Sequence, residues 1–356
     1  MTDEKFWSNK RVYLTGHTGF KGSWLALWLS SLGANVKGYA LTPPSSPSLF
    51  NEARVAENIE SETGDIRDLK KLCKSMAGFD PDVLIHMAAQ PLVRLSYVEP
   101  VETYETNVMG TVNVLQAARQ CSKLKSIISV TTDKCYENKE WDWGYRENEP
   151  MGGHDPYSSS KGCAELVTSA YRRSFMQEKG VGIATVRAGN VIGGGDWADD
   201  RLIPDILRAF EKNAAVIIRN PKAIRPWQHV LEPLSGYLNL AQKLYNAPGE
   251  YSEGWNFGPE DIDVKPVDWI LNTMVKKWPD ANWALDQKSQ PHEAGFLKLD
   301  ISKAKSRLSW QPTWHLDRTL EKIISWQLAW LNKEDVQKIC LTEIGEYMRD
   351  MRNANN

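Results

Sequence analysis

The sequence predicts an α/β protein: a doubly wound parallel sheet with helices on both faces, followed by a smaller domain of mixed structure. Over the first half of the chain, short apolar runs alternate with longer helical patterns, an order typical of parallel sheets covered by helices. A glycine-rich turn follows the first apolar run. Beyond residue 190, proline, glycine and tryptophan recur and the regular alternation is lost.

The first half of the chain supplies five strand candidates and four helical patterns. The strands are predicted at 11–16, 35–41, 82–89, 126–132 and 181–189, and the helices near 20–32, 67–77, 99–120 and 156–178. We assign residues 1–190 to the domain that contains the sheet. Residues 191–356 are assigned largely to the second domain, with segments near 222–258 returning to the first.

The composition excludes several classes of protein. The chain has 356 residues and a net charge of −2, which gives no field to attract nucleic acid or an anionic membrane. No apolar run reaches the roughly 20 residues of a membrane span, and the first ten residues show no apolar signal segment, so we expect a cytoplasmic protein. The five cysteines form no CxxC pair, which favours reduced thiols and no metal site.

The turn after the first strand, TGHTGFKG (15–22), is the first candidate site. Glycines spaced three apart let the backbone turn sharply and approach a pyrophosphate held by the free N–H groups of a helix. A tight turn without a ligand is the alternative, but the position after strand one favours a dinucleotide. The residues assigned to the cofactor here are Gly16, His17, Gly19, Phe20, Lys21 and Gly22. Lys21 either neutralises phosphate or is solvated.

The end of the second strand carries no acid to bind a ribose hydroxyl. Ala40 stands where Asp or Glu would serve, and no arginine follows to hold a 2′-phosphate, so NAD is favoured over NADP. Ser45, Ser46 or backbone groups would contact the ribose instead. Asp65, in GDI (64–66) with Ile66, is placed to accept from the adenine amino group; its alternative role is to cap a helix.

Tyr157 and Lys161 lie four residues apart in DPYSSSK (155–161), hence on one face of a helix that Asp155 caps and Pro156 begins. A lysine one turn away favours the phenolate, giving a base for an alcohol proton. Thr132, at the end of strand four, would donate to the same alcohol. It is followed by an acid and a base, Asp133 and Lys134, which elsewhere form a surface ion pair of little energetic value.

Nearly the whole chain resembles the extended short-chain dehydrogenases/reductases that act on nucleotide sugars. The motifs that carry the resemblance are TGHTGFKG (15–22), GDI (64–66), HMAAQ (86–90), TNVMGTVNVL (106–115), TTDKCY (131–136), YSSSK (157–161), RAGNVIGGG (187–195), RLIPD (201–205) and RPWQHV (225–230). The resemblance implies a Rossmann-like NAD-binding domain. It adds Ala88, Ala89 and Asn107 to the cofactor site, which Tyr157 and Lys161 also line.

Within this family, an acid and a base after the strand-four Thr are typical of the 4,6-dehydratases. The resemblance implies that Tyr157, with Thr132 and Lys161, takes the C4 hydroxyl proton while hydride passes to NAD. Asp133 would then protonate the C6 hydroxyl and Lys134, buried beside Lys161, would remove the C5 proton before hydride returns to C6. In the rival interpretation Lys134 orients a phosphate or water, and Asp133 handles both proton transfers.

The same resemblance implies CDP-glucose as the substrate, in deoxysugar synthesis for surface polysaccharide such as O-antigen. Residues assigned to the nucleotide diphosphate are Asn190, Arg201, Leu202, Pro204 and Arg225, with Arg94 for sugar or phosphate and His292 for base or ribose. Any of these arginines would otherwise cap a helix or pair with a carboxylate.

Two other functions remain open from the sequence. A 4-epimerase of the same fold needs only Tyr157, Lys161 and NAD, and the Asp133–Lys134 pair argues against it. A catalytically idle NAD-binding relative would be expected to have lost Thr132, Tyr157 or Lys161, and all three are present. The resemblance also implies a homodimer or homotetramer that pairs through the helices near 99–120 and 156–178.

Overall fold

The structure, a computed structural model, describes residues 3–218, 220–278, 281–285 and 296–354. In chain order the strands are β1 (Arg11–Thr15), β2 (Asn35–Ala40), β3 (Glu60–Thr63), β4 (Val83–His86), β5 (Ser126–Val130), β6 (Gly182–Ala188), β7 (Val191–Ile192), β8 (Val216–Ile218), β9 (Ile224–Pro226), β10 (Gln228–His229), β11 (Gly254–Phe257), β12 (Val264–Pro266) and β13 (Trp283–Leu285).

The helices cover both faces of the sheet and build most of the second half. They are α1 (Glu4–Trp7), α2 (Phe20–Ser31), α3 (Leu49–Glu52), α4 (Leu69–Phe79), α5 (Val93–Val98), α6 (Pro100–Tyr104), α7 (Gly110–Ala118), α8 (Pro156–Tyr171), α9 (Leu202–Glu211), α10 (Leu231–Asn246), α11 (Pro248–Tyr251), α12 (Val267–Val275), α13 (Ser302–Leu308), α14 (Leu316–Leu331) and α15 (Val336–Ala354).

The described residues form a seven-stranded sheet in the order β3-β2-β1-β4-β5-β6-β11, and each pair of neighbouring strands is parallel. This confirms the predicted fold class and the five predicted strands. The sequence does not predict β3, which reads ESET and is largely exposed at the edge of the sheet, so it has no apolar run. β11 lies within the segments near 222–258 that were expected to return to the first domain, although no strand was predicted there.

The sheet is buried on both faces because successive side chains of a strand point to opposite sides. Val12 and Leu14 of β1 pack with α2, α10 and α15, whereas Tyr13 between them packs with α4 and α7 on the other face. Helix α2 is buried almost all round, with Trp24 and Trp28 fully inside. Many tryptophans therefore serve the core.

Two predicted helices are shorter or more broken than their patterns indicate. The helix near 99–120 divides into α6, a π-helical segment Glu105–Met109 and α7, and the helix near 156–178 ends as α8 with a π segment Arg172–Met176. π segments insert an extra residue into a helix and occur often beside functional sites. Here the first segment carries Asn107, whose amide bonds to other elements.

The second half of the chain has a core of its own. Side chains of α9, α12 and α14 pack together around Ile206, Ile270 and Leu320. Three two-stranded sheets, β7 with β10, β9 with β12 and β8 with β13, lie in the same half. The boundary between two domains near residue 190 stays a prediction.

Candidate active site

The residues that follow β5 form a tight turn at the carboxyl end of the sheet. Asp133–Cys135 is a single 3₁₀ turn, and Thr132 caps it by accepting from the Lys134 N–H at 3.3 Å. The Thr132 hydroxyl donates to Oδ1 of Asp133 at 3.0 Å, and Lys134 Nζ lies 3.5 Å from the same oxygen. The acid and the base are therefore in contact with each other and with the threonine.

The two charged side chains of this turn differ in exposure. Asp133 is 1% exposed, and among the described residues its second oxygen, Oδ2, has no hydrogen-bond partner. The Lys134 side chain remains 33% exposed, so the burial expected from the sequence is only partial. A buried oxygen without a partner is costly, which is the arrangement expected where a substrate hydroxyl completes the bonding.

Helix α8 brings the tyrosine and lysine to the same place. Asp155 caps the helix by accepting from the Ser158 N–H at 2.9 Å, and Pro156 opens its first turn, as predicted. Burial raises the pKa of Tyr157 to about 12; a hydrogen bond with Thr132 and the charge of Arg201 oppose the rise, and the charge of Asp133 adds to it. Thr132 thus links the tyrosine to the turn after β5.

Lys161 lies one turn further along α8 and donates from Nζ to the carbonyl of Val130 at 3.2 Å. Burial lowers the pKa of Lys161 to about 8, although the charge of Glu165 acts in the opposite direction. The lysine is therefore held against the end of β5 by a backbone contact, and it remains largely cationic at neutral pH.

Lys21 also belongs to this end of the site. Its ammonium donates to the hydroxyl of Tyr237 at 3.2 Å, and Tyr237 is fully buried on α10. Burial, followed by the charges of Lys161 and Arg201, lowers the pKa of Lys21 to about 7. Of the two roles that the sequence left open, a solvated lysine does not describe this bond, and the neutralisation of phosphate stays a prediction.

The glycine turn is shaped for close approach of a backbone and a ligand. Gly16 has φ of +78°, and a Cβ there would meet the backbone N of Ala88 at 2.7 Å; at Gly22 it would meet the Gly16 oxygen at 2.1 Å. Gly19 caps α2 without a side chain, and a Cβ there would have only the Gly16 oxygen nearby, at 3.5 Å. The open N-terminus of α2 beside Gly19 fits a dinucleotide pyrophosphate.

The other predicted members of the glycine turn are packed inside. His17 is fully buried, with Nε2 2.8 Å from the Ser61 hydroxyl and its ring against Gly38. Burial lowers the pKa of His17 to about 4, so the ring is neutral at pH 7. Phe20 packs against the main core. His17 and Phe20 therefore support the glycine turn by packing in the interior of the protein.

The remaining cofactor candidates flank this turn. The Asp65 carboxylate is bonded to the backbone and guanidinium of Arg67, and Asp68, not Asp65, caps α4. Ile66 is buried in the core under α7. Ala88 donates its N–H to the Thr15 hydroxyl at 3.2 Å, and Ala89 follows it.

Asn107 connects the segment after β4 to α8. Its amide nitrogen donates to the Gln90 carbonyl at 3.0 Å and to the Ser160 hydroxyl at 2.9 Å, while its oxygen accepts from the Gln90 N–H at 2.8 Å. These bonds fix the loop of Ala88 and Ala89 relative to the helix that carries Tyr157.

The candidates for substrate binding lie in the second half of the chain. Arg201 contacts Asp196 at 2.8 Å and is close enough to Tyr157 to affect its pKa. Arg225 is buried on β9, and the Asn190 carbonyl accepts from the Gln228 N–H. Leu202 packs against the second core, where Pro204 is buried.

Arg94 and His292 are the other two candidates for substrate binding. Arg94 forms an exposed ion pair with Asp200 at 3.0 Å, which is the alternative role that the sequence left open for any of its arginines. His292 lies outside the described residues.

Three residues of the site were missed from the sequence. Glu165 and Arg187 form a buried ion pair beside the turn after β5, and the Tyr237 hydroxyl accepts a hydrogen bond from Lys21. Two signals pointed to the pair: Glu165 lies four residues after Lys161, and Arg187 is a charge inside an otherwise apolar strand. No comparable signal marks Tyr237, because its partner is 216 residues away in the chain.

A cavity of about 500 Å³ lies on the other side of the same ion pair, lined by Glu165, Arg187, Arg172 and Lys303 among others. None of Thr132, Asp133, Lys134, Tyr157 and Lys161 lines it. This cavity is therefore not the reaction centre, which is marked instead by the convergence of titratable side chains.

Within the described ranges, no three His, Cys, Asp or Glu side chains are arranged to hold a metal ion. None of the helices in that part of the chain is both long and apolar enough to cross a bilayer.

The order of the sheet, the glycine turn after β1 and the Tyr157–Lys161 helix place the chain in the extended short-chain dehydrogenase/reductase class. More narrowly, the chain belongs to the family described as GDP-mannose 4,6 dehydratase, whose model matches residues 14–323. This confirms the family predicted from the motifs.

Relatives of known name agree with this assignment. The CDP-glucose 4,6-dehydratase of Salmonella typhimurium is 60% identical over 98% of this chain and 99% of its own length. The dTDP-glucose 4,6-dehydratase of Escherichia coli is 25% identical over 92% of this chain and 96% of its own. The similarity thus extends over both halves of the chain.

Solved structures show the same fold at lower identity. The dTDP-glucose 4,6-dehydratase of Bacillus anthracis in complex with NAD is 20% identical, with a TM-score of 0.74 over 92% of this chain and 98% of that one. The UDP-glucose 4-epimerase of Thermotoga maritima is 20% identical, with a TM-score of 0.77 over 90% and 99%. Dehydratases and epimerases share the architecture, so the side chains must distinguish them.

Proposed function

We propose that the chain dehydrates CDP-glucose to CDP-4-keto-6-deoxyglucose with NAD as its cofactor. The observation that carries the proposal is the turn after β5, which brings an acid and a base, Asp133 and Lys134, next to Thr132 and Tyr157. Oxidation of an alcohol needs a single proton acceptor, whereas elimination of water also needs an acid and a base. The name of the relative at 60% identity supports both the sugar and the nucleotide.

The cofactor site uses backbone more than side chains. NAD, when bound, accepts hydrogen from C4 of the sugar as hydride and returns it to C6. The open N-terminus of α2 at Gly19 would hold the pyrophosphate, and Ala40 at the end of β2 offers the ribose no carboxylate. We therefore expect weaker ribose contacts than in relatives that carry an acid there.

The first proton is removed from the C4 hydroxyl. Tyr157 receives it at the phenolic oxygen, which is buried and hydrogen-bonded with Thr132. The positive charge of Arg201 lowers the cost of the phenolate. Because Thr132 is hydrogen-bonded with Tyr157, it holds the C4 hydroxyl close to the phenolic oxygen that takes its proton.

The elimination follows at C5 and C6, where the C4 ketone makes the C5 hydrogen acidic. Lys134 Nζ, as the neutral amine, removes that proton, and Asp133, as the carboxylic acid, donates its proton to the C6 hydroxyl, which leaves as water; the pair thereby becomes an ammonium and a carboxylate. The Oδ2 atom of Asp133 suits this donation because it is buried and has no partner in the described part of the chain. After hydrogen returns to C6, C5 is reprotonated.

Arginines of the second half would hold the nucleotide diphosphate, because a guanidinium donates two parallel hydrogen bonds to a phosphate. The position of Arg201 beside Asp196 and of Arg225 on β9 supports this role, and Asn190 follows shortly after β6. Arg94 would first have to leave Asp200.

The experiment that tests the reaction and the nucleotide together is incubation with CDP-glucose, dTDP-glucose or GDP-mannose and NAD⁺ in deuterated water. We expect a 4-keto-6-deoxy sugar from CDP-glucose, with solvent deuterium at C5, measured by mass spectrometry and NMR. The variant Tyr157→Phe is the control, and we expect it to lose about 10²- to 10⁴-fold in rate.

Other products would contradict the proposal in distinct ways. CDP-galactose without deuterium at C5 would indicate a 4-epimerase, the alternative that the shared fold keeps open. Absence of any product would indicate the idle relative. A product from dTDP-glucose or GDP-mannose alone would contradict the nucleotide assignment.

A second copy of the chain would pair through α5 to α8. This region carries exposed apolar side chains: Tyr97, Val98, Val101, Tyr104, Met109 and Leu166. Exposed apolar patches of this kind mark interaction sites. Such an enzyme would work in the cytoplasm, and its product would enter surface polysaccharide. Sedimentation velocity checks the assembly, and a single protomer mass at micromolar concentration would contradict it.

A further inference from the structure

The turn after β5, Asp133–Cys135 with its cap Thr132, is connected at both ends to one buried ion pair, that of Glu165 and Arg187. Thr131, just before Thr132, donates its hydroxyl to Oε1 of Glu165 at 2.6 Å. Tyr136, just after Cys135, accepts from Nη1 of Arg187 at 2.6 Å. The two partners of the turn are bonded to each other, with Arg187 donating to both carboxylate oxygens of Glu165 at 2.7 and 2.9 Å.

The ion pair joins a helix to a strand inside the sheet. Glu165 lies on α8, one turn after Lys161, and Arg187 lies on β6, next to β5 in the sheet. Their side chains are 6% and 5% exposed. The Tyr136 hydroxyl also donates to Asn256 on β11 at 2.7 Å. Three elements of regular structure thus converge below a turn that has little structure of its own.

The bonds that backbone N–H groups make within the turn are long by comparison. The Lys134 N–H reaches the Thr132 hydroxyl at 3.3 Å, and the Cys135 N–H reaches the Thr132 carbonyl at 3.4 Å. Weak internal bonds leave the conformation of the turn to its surroundings, which are the two tethers and a bond from the Gly152 N–H to the Cys135 carbonyl at 2.8 Å. Tyr157 and Lys161, in contrast, are held by the helix in which they lie.

A buried ion pair is a poor means of gaining stability, because desolvation offsets most of the attraction. Here both partners stay charged. Burial raises the pKa of Glu165, but Arg187 and the hydroxyls of Thr131 and Thr185 outweigh it and bring the pKa below its usual value. Burial lowers the pKa of Arg187, but the charge of Glu165 raises it well above its usual value. The pair therefore fixes directions of hydrogen bonds, which an apolar pair would not do.

We propose that Glu165, Arg187 and Tyr136 are positioning residues for the elimination step, holding Asp133 and Lys134 at C5 and C6 of the sugar. None of the three touches substrate; each acts through the ends of the turn. This inference rests on the proposed function, since it assigns the tether to one of the two chemical steps. Oxidation at C4 depends mainly on Tyr157 and Lys161 of α8, with Thr132 as the contribution of the turn, and is expected to be less sensitive to the tether.

The test removes a single hydroxyl from either tether, in the variants Tyr136→Phe and Thr131→Val. Enzyme loaded with NAD⁺ is mixed with CDP-glucose in a single turnover, and the absorbance of reduced nicotinamide is followed. Its rise reports oxidation at C4, and its fall reports completion of elimination and reduction at C6. We expect the fall to slow by about 10- to 100-fold, because small misplacements of catalytic groups have effects of that size, while the rise keeps its order of magnitude.

Thr185→Val is the matched control. Thr185 donates to the same carboxylate, at Oε2 and 2.6 Å, but lies on β6 outside the turn. We expect this variant to keep the wild-type ratio between the rate of the fall and the rate of the rise. Its loss of thermal stability is expected to be similar to that of the two tether variants. If Tyr136→Phe does not fold, the ratio of rates in Thr131→Val, at the other end of the turn, tests the inference.

Two results would overturn the inference: equal slowing of rise and fall in both tether variants, or a ratio in Thr185→Val as altered as theirs. Failure of the proposed function is distinguishable, because wild-type enzyme would then give no product from CDP-glucose at all.

Discussion

The two ends of the active site treat charge in opposite ways. At the reaction end, the buried Glu165 and Arg187 neutralise each other and are surrounded by hydroxyl donors and acceptors. At the cofactor end, the glycine backbone determines the shape of the site. The basic side chains there, His17 and Lys21, have no carboxylate within hydrogen-bond distance among the described residues. Burial lowers the pKa of both.

The difference follows from what each end must do. Proton transfer needs donors and acceptors in fixed directions, and buried ion pairs and hydroxyls supply them. A dinucleotide carries its own negative charge, so its site needs space and free N–H groups. Neutral His17 and a readily deprotonated Lys21 keep that space without adding an unpaired buried cation.

The largest effect expected from this comparison is on stability at the reaction end. Glu165→Gln keeps the shape of the side chain but leaves Arg187 buried without its counter-charge, and we expect it to lower the free energy of unfolding by about 3–5 kcal/mol. Lys277→Met, which breaks the partly exposed pair with Glu321, is the control, with an expected loss below about 1 kcal/mol. Urea denaturation measures both, and equal losses would contradict the distinction.

A smaller effect is expected at the cofactor end, in the response to pH. Burial lowers the pKa of His17 from 6.5 to about 4, so between these values the unfolded chain binds a proton that the folded chain does not. Stability from this group is complete above pH 6.5 and is lost as the pH falls through this window, at about 1.4 kcal/mol per pH unit. His86, lowered to about 3 by burial, acts in the same direction.

Glu232 opposes the histidines, because burial raises its pKa from 4.5 to about 7 and its penalty disappears as the pH falls. The informative quantity is therefore a difference between proteins. We expect the slope of stability against pH, from 6.5 to 5, to be about 1.4 kcal/mol per unit smaller in His17→Gln than in the wild type. The same slope in both would mean that His17 is not neutral in the folded state.

Much of the fold could be predicted because its strands are apolar runs in a regular order. The edge strand Glu60–Thr63 could not, since a polar strand at the border of a sheet leaves no apolar pattern. The strand Gly254–Phe257 could not be aligned with β6 from sequence because the pairing joins distant parts of the chain.

Motif residues of the site could be named from sequence, but their surroundings could not. Thr132, Asp133 and Tyr157 come together as the motifs indicate. His17 looked like a functional residue and packs as a core side chain, while Glu165 and Arg187 drew no attention and hold the turn. Short-range spacing predicts which residues share a helix face; it does not show which buried partner arrives from another strand.

The most direct test of the account separates the two chemical steps that it assigns to α8 and to the turn after β5. Lys134→Ala is mixed with CDP-glucose and NAD⁺ in deuterated water, and the rate of C4 oxidation is compared with the rate of C5 exchange. We predict oxidation of wild-type order and C5 exchange slowed by about 10²- to 10⁴-fold. Equal losses in both rates, or unchanged exchange, would contradict the assignment of the elimination to this turn.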